Sequence, residues 1–228
     1  MLTKRRITQE LMDDPSLAAE TYDAVLRDLS RVNVATMAAR PTLAFLDSVI
    51  GDKASISLLD VGFGQGDMLR SIANWAEKRG ITANLVGIDL NPRSEAVAKS
   101  ATSPDLPIRY ITGDYADLAG QKFDCIISSL VAHHMDDAEL QAFLRFMETE
   151  AQAGWFINDL HRHGFSYLGY PLLARIMGLH PIVRLDGQTS IARAFRPAEW
   201  QEMLERAEIT RAQVRRNFPF RLCISRLR

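Results

Sequence analysis

The sequence predicts an α/β protein whose strands alternate with helices and assemble into a doubly wound, mostly parallel sheet. Three observations carry this. Short apolar runs recur at residues 56–61, 84–89, 108–112, 123–129 and 154–158. Helix-patterned stretches separate most of these runs, which calls for right-handed βαβ crossovers. Finally, Gly62, Gly64 and Gly66 follow the first run directly, where open sheets of this class approach their ligands.

The elements follow in order. Leu17, Tyr22, Val25, Leu26 and Leu29 lie at helical spacing, and Asp14–Pro15 or Ser16 can start that helix. A second helix is expected over 34–50, with an interruption at Pro41 and an end at Gly51–Asp52. After the first strand a helix runs from Asp67 to Lys78 and closes at Gly80. Pro92 suits the first turn of the helix after strand two. Asp136 and Asp137 cap a helix that reaches Ala151. The stretch 164–191 is too long for a plain connection and reads as a helical lid. Pro197 opens the next helix, and the alternating tail around Asn217–Phe220 reads as a closing antiparallel hairpin. That makes seven strands with an antiparallel last one.

Length and composition are consistent with this reading. A chain of 228 residues, 47% hydrophobic, can bury one sizeable core. A single domain is expected over 1–228: a helical cap at 1–50, a ligand-binding core at 51–160, a lid at 164–191 and a closing helix and hairpin at 192–228. The net charge of −1 announces neither a nucleic acid nor an anionic membrane. From Pro181 to Arg228 ten arginines face five acids, which reads as a solvated surface. Cys125 and Cys223 sit in apolar contexts and read as buried free thiols. No apolar run is long enough to span a bilayer, so a cytoplasmic protein is expected.

The glycine loop, "LLDVGFGQGD", carries the chemistry. Absent Cβ atoms let backbone approach a ligand, and the helix N-terminus behind the loop offers free N–H groups. The dinucleotide fingerprint G-x-G-x-x-G fails at its third glycine, where Asp67 stands. A carboxylate there opposes a pyrophosphate. Asp60, Asp89 and Asp114 end three successive strands. Asp60 suits a ligand with a cationic end, and Asp89 suits a ribose diol. Asp114 either accepts from an adenine amino group or closes an Asx turn. The set describes a neutral or cationic nucleoside site.

"LLDVGFGQGD", "VGIDLNP", "ITGDYADL" and "FDCIISSLVAHHM" occur in this order. Together they resemble the successive motifs of class I S-adenosylmethionine-dependent methyltransferases. The resemblance is nearest to small-molecule members of the ubiquinone/menaquinone-biosynthesis type and is strongest over 56–160. It implies a Rossmann-like fold and S-adenosylmethionine as cofactor. It further implies that Asp60, Gly62, Gly64 and Gly66 line the methionine part and Asp89 holds the ribose. Leu90, Asp114 and Tyr115 would meet the adenine, with Ser129 beside the methyl end. Phe63 departs from the smaller or polar residues frequent at its place without removing a glycine.

All five histidines follow strand four. Asp159, His161 and His163 lie beyond strand five, where an Asp–His relay would orient an imidazole base. His161 is the favoured base and His163 the next, against a plainer role for Asp159 as a helix cap. His133 is a further catalytic candidate and His134 a substrate contact, although packing is the commoner role at that position. Adjacent histidines point different ways, so one of the pair is expected to face the cleft. The spacing holds no complete metal signature, and no metal is expected. Tyr167 and Tyr170, with Phe165, Leu172, Leu173, Ile176 and Met177, suit an apolar or aromatic small-molecule acceptor. Arg193 suits an anionic group on it, and Arg31 and Asn33 could reach the cofactor's carboxylate. O-methylation is expected ahead of C- or N-methylation. A non-catalytic cofactor-binding protein and a nicotinamide-dependent oxidoreductase are the competing functions.

Overall fold

A computed structural model describes residues 2–228. Seven strands form one sheet: β1 (Ser55–Val61), β2 (Thr82–Asp89), β3 (Ile108–Thr112), β4 (Phe123–Ser129), β5 (Ala151–Leu160), β6 (Gln213–Asn217) and β7 (Arg221–Leu227). Their spatial order is β3-β2-β1-β4-β5-β7-β6. The first five strands pair in parallel. β7 runs antiparallel to both β5 and β6. This is the expected Rossmann-like sheet with an antiparallel last strand.

The period-two rule sorts side chains between two layers. Leu59 and Val61 of β1 join a core built with α5 (Asp137–Glu150) and α8 (Pro197–Arg206). Ile56 and Leu58 point the other way, into a core with α2 (Ala39–Ile50) and α3 (Asp67–Arg79). α5 starts on a full capping box, Asp136 with Glu139. α3 ends on Gly80 in the left-handed conformation. Asn91 caps α4 (Pro92–Ser100), with Pro92 in its first turn.

Three expectations are corrected. α1 spans Ala19–Ala35 and so takes in Val34; the break falls at Thr36–Ala38, where Met37 adopts φ 52°. Pro41 sits inside the first turn of α2, where its missing N–H is no loss. β5 is longer than expected, because it follows α5 without a loop. The lid is two helices, α6 (Gly164–Ile176) and α7 (Pro181–Arg193). With α1 they close a small core of Val25, Ala174, Leu179 and Val183. Cys125 and Cys223 are buried free thiols, and burial pushes both up to about 12. Among the described residues no helix is long and apolar enough to cross a membrane.

Strand order reverses between β1 and β4. The chain leaves these neighbours in opposite directions, and a crevice opens beyond their carboxyl ends.

Candidate active site

The crevice opens where β1 hands over to the glycine loop. Gly62, Gly64 and Gly66 have φ of 78°, 53° and 77°, the left-handed region that a side chain strains. A Cβ on Gly62 would lie 2.2 Å from Val131 Cγ2, across the reversal point, and one on Gly66 would lie 2.3 Å from the Tyr110 hydroxyl. A Cβ on Gly64 would meet nothing within 4 Å; Gly64 faces the cavity itself. Phe63 is buried against Tyr110, with ring centroids 4.8 Å apart, and is part of the core as well as the cavity wall. Asp89 ties the loop to β2. Its Oδ2 accepts from the Gly64 N–H and its Oδ1 from the Asn91 N–H, both at 2.9 Å. Burial pushes the Asp89 carboxyl up, while those two N–H groups pull it down. Each oxygen keeps a lone pair for a further donor.

One cavity of about 420 Å³ runs from this loop to the inner face of α1 and α7. Seven buried side-chain polar atoms lack a hydrogen-bond partner among the described residues, and four belong to residues of this cavity: Asp60 Oδ1, Ser129 Oγ, His133 Nε2 and Arg221 Nη1. Buried polar groups are almost always paired, so this concentration marks a place built for a ligand. Burial, then the charges of Asp67 and Asp89, push the Asp60 carboxyl well above the usual range. Arg221 lies on β7 and was not singled out by the sequence. Its Nη2 donates to Asn33 Oδ1 at 3.1 Å, and Asn33 donates to Asp67 at 3.1 Å. No local pattern marks Arg221; only the antiparallel strand carries it to the loop. Arg31 instead pairs with Asp28 and donates to the Met177 carbonyl.

At the other end stand both His133 and His134, with ring centroids 4.3 Å apart. The expectation that one of them faces the cleft is corrected. They share a 3-10 turn, Ala132–His134, entered through Leu130 at φ 61°. Asp159 holds that turn. Its Oδ2 accepts from the His133 N–H at 2.9 Å, and its Oδ1 lies 2.7 Å from His133 Nδ1. The acid–imidazole pair therefore forms with His133, not with His161 or His163. Burial alone would lower the His133 imidazolium; Asp159 and Glu10 outweigh it and push it up to about 9.

His161 and His163 lie outside the cavity. His161 is buried among Arg216, His163, Arg196 and Arg162; burial first, then these charges, push it down to about 4. His163 caps α6. Period two alone would put Asp159 and His161 on one face, but β5 ends at Leu160 and His161 is held away by the Phe220 carbonyl, which accepts from its N–H at 2.9 Å, and by its bridge to Phe195. Tyr115 and Leu90 line the cavity, Leu90 largely exposed. Asp114 does not; it caps the following 3-10 turn by accepting from Ala116 N–H. Tyr170 lines the cavity, its ring over Gly187, but Tyr167 does not. Phe165, Leu168, Leu172 and Ile176 of α6 point to solvent, so the apolar wall comes from α1 and α7. Arg193 is buried behind the wall, its guanidinium donating to the carbonyls of Thr8, His133 and His134.

Residues 58–150 match the family model described as a methyltransferase domain. The matched stretch runs from β1 through α5 and takes in the glycine loop and Asp89. It is 28% identical over 161 residues to the ubiquinone biosynthesis O-methyltransferase of Bartonella quintana, covering 68% of this chain and 61% of that one. The chain thus spans less than two thirds of that relative's length. Similar solved structures include the plantazolicin methyltransferase BpumL in complex with SAH (TM-score 0.67, 15% identity, 93% of this chain and 90% of that one). Another is the magnesium protoporphyrin IX methyltransferase of Synechocystis PCC 6803 with bound SAH (TM-score 0.59, 20% identity, 94% and 90%). A third is human N-acetylserotonin methyltransferase with SAM (TM-score 0.64, 14% identity, 92% and 56%). At these identities the likeness is one of fold.

Proposed function

We propose that this protein is an S-adenosylmethionine-dependent methyltransferase acting on a small, partly apolar molecule with a hydroxyl acceptor. The carrying observation is the set of orphaned polar atoms on the cavity wall. Asp60 Oδ1, Ser129 Oγ and Arg221 Nη1 lack partners. An acid for an ammonium and a guanidinium for a carboxylate complement an amino-acid end that bears both. Beside them, Asp89 offers two half-used carboxylate oxygens for a ribose diol, and Gly64 leaves the space open. The residues present therefore fit S-adenosylmethionine.

When bound, that cofactor supplies a methyl group already activated on a sulfonium. What the chain does is position. Asp89 takes the ribose hydroxyls, while Leu90 and Tyr115 bound the adenine side. Asp60 and Arg221 hold the amino-acid end, and Ser129 stands at the end of β4 toward the acceptor. Val183, Ile191 and Tyr170 wall the acceptor side and keep water out. The O-methyltransferase name of the curated relative favours oxygen as the acceptor atom.

Calorimetric titration with S-adenosylmethionine, S-adenosylhomocysteine and NAD tests the donor site. Binding of the first two and not the third is expected, and binding of NAD alone would sink the proposal. A panel of phenols, enols and amines with labelled methyl donor then tests the acceptor. Turnover confined to amines would overturn the oxygen reading, and donor binding with no turnover on any acceptor would favour a non-catalytic binder.

A further inference from the structure

The acid–histidine cluster at the acceptor end is assigned nothing by the donor site. Glu10, His133 and His134 bring one ligand atom each to within 4.8 Å of one another. Glu10 Oε1 lies 3.6 Å from His133 Nε2 and 3.7 Å from His134 Nε2. These separations are too long for hydrogen bonds. Yet His133 is 2% exposed, and its Nε2 has no partner among the described residues. Two imidazole nitrogens thus aim at one carboxylate oxygen across a gap. A tetrahedral ion with bonds of about 2.0–2.1 Å sets its ligands about 3.3 Å apart; both acid–imidazole separations lie within a few tenths of an ångström of that, and the whole set lies within 4.8 Å.

The surroundings match. Asp159 accepts at His133 Nδ1, 2.7 Å away, the outer carboxylate that orients a metal-bound imidazole. Ser190 Oγ donates to Glu10 Oε1 at 2.8 Å. Asp186 fixes the segment that carries Glu10 by accepting from the Leu11 and Met12 N–H groups at 2.8 and 2.9 Å. Arg193 stands 3.9 Å from Glu10, with its N–H groups on backbone carbonyls. Asp13 Oδ2, 3.7 Å from His134 Nδ1, adds a further carboxylate at the rim.

We propose that Glu10, His133 and His134 bind one divalent first-row metal ion of the zinc, cobalt or iron type, with an open position toward the cavity. Two imidazoles and a carboxylate select these ions over magnesium or calcium, which take oxygen ligands. If the chain is the methyltransferase proposed above, that open position is where an acceptor hydroxyl would bind. The cation would then lower the pKa of that hydroxyl. The O–H proton would leave to water at the cavity mouth, and the oxygen would bond to the methyl carbon as the carbon–sulfur bond breaks and S-adenosylhomocysteine leaves with that electron pair.

The test is titration of the chelator-stripped protein with cobalt(II) and zinc(II), read by calorimetry and by the visible absorption of bound cobalt. One equivalent is expected, with affinity at least 100-fold weaker in Glu10→Gln and in His134→Ala. His134 is half-buried and Glu10→Gln keeps its shape, so both variants should fold; an unchanged far-ultraviolet circular dichroism spectrum checks this. No cobalt spectrum at millimolar metal would overturn the proposal, as would binding unchanged in both variants; either points to two imidazoles that merely share protons with the acids. S-adenosylmethionine affinity is measured on the same samples. Its loss with metal binding intact defeats the donor-site reading alone, and its retention without metal binding defeats the metal site alone.

Discussion

Asp60 is a buried carboxyl with one unpartnered oxygen, and its environment favours the neutral acid. Its folded pKa lies above the unfolded value, so raising pH through that interval costs stability. Asp60→Asn should therefore raise the melting temperature of the ligand-free protein at pH 7, read by calorimetry. A cationic ligand end should draw the proton off. S-adenosylmethionine binding should then release protons wherever the free protein holds Asp60 neutral, seen as a binding enthalpy that changes with buffer ionisation heat, and Asp60→Asn should abolish the difference. Asp89 acts through its hydrogen bonds. Two charge-assisted hydrogen bonds at about 1.5 kcal/mol each correspond to roughly 100-fold in affinity. Asp89→Ala should weaken S-adenosylmethionine by about that factor in calorimetry. His161 gives the opposite pH sense. Its folded pKa, near 4, lies below the usual 6.5. Stability is full above pH 6.5 and falls as acid protonates the unfolded chain first. Thermal scans from pH 7 to 4 should show a smaller loss in His161→Gln than in the parent.

Among the elements, the glycine loop and the lid show two different costs of an added methyl group. Gly64→Ala meets no steric obstacle, so its cost is the left-handed backbone, about 1–2 kcal/mol. It should fold, with a melting temperature lower by roughly 2–8 °C, and bind cofactor more weakly. Gly187 is different. A Cβ there would lie 2.0 Å from the Tyr170 ring, so α6 and α7 cannot keep their approach. Gly187→Ala should cost about 1–3 kcal/mol by overpacking and shift the Tyr170 wall. Comparing acceptor KM with donor affinity checks this: the first should rise and the second should hold.

Over the whole molecule, loop, strand ends and lid enclose one shared cavity, so occupancy should stabilise them together. At 100 times its dissociation constant a ligand adds about 2.7 kcal/mol, a rise in melting temperature of roughly 5–10 °C for a chain of this size. Differential scanning fluorimetry with S-adenosylmethionine reads it directly, and NAD should give none. The sequence by itself determined the seven-stranded order of elements, the glycine loop and Asp89. Each of these is set by local chemistry: period-two apolar runs, left-handed glycines, and an acid at a strand end next to them. Tertiary structure decided which polar groups meet in the cavity. Arg221 reaches the loop because β7 is antiparallel to β5, and Glu10 reaches His133 across 122 intervening positions because α7 anchors its segment. Asp159 pairs with His133 rather than with the nearer-in-sequence His161 because the turn after β4 brings His133 to it, while His161 is tied to Phe220 and Phe195 beyond the end of β5. Such meetings depend on how distant strands and helices pack, and no spacing along the chain encodes them.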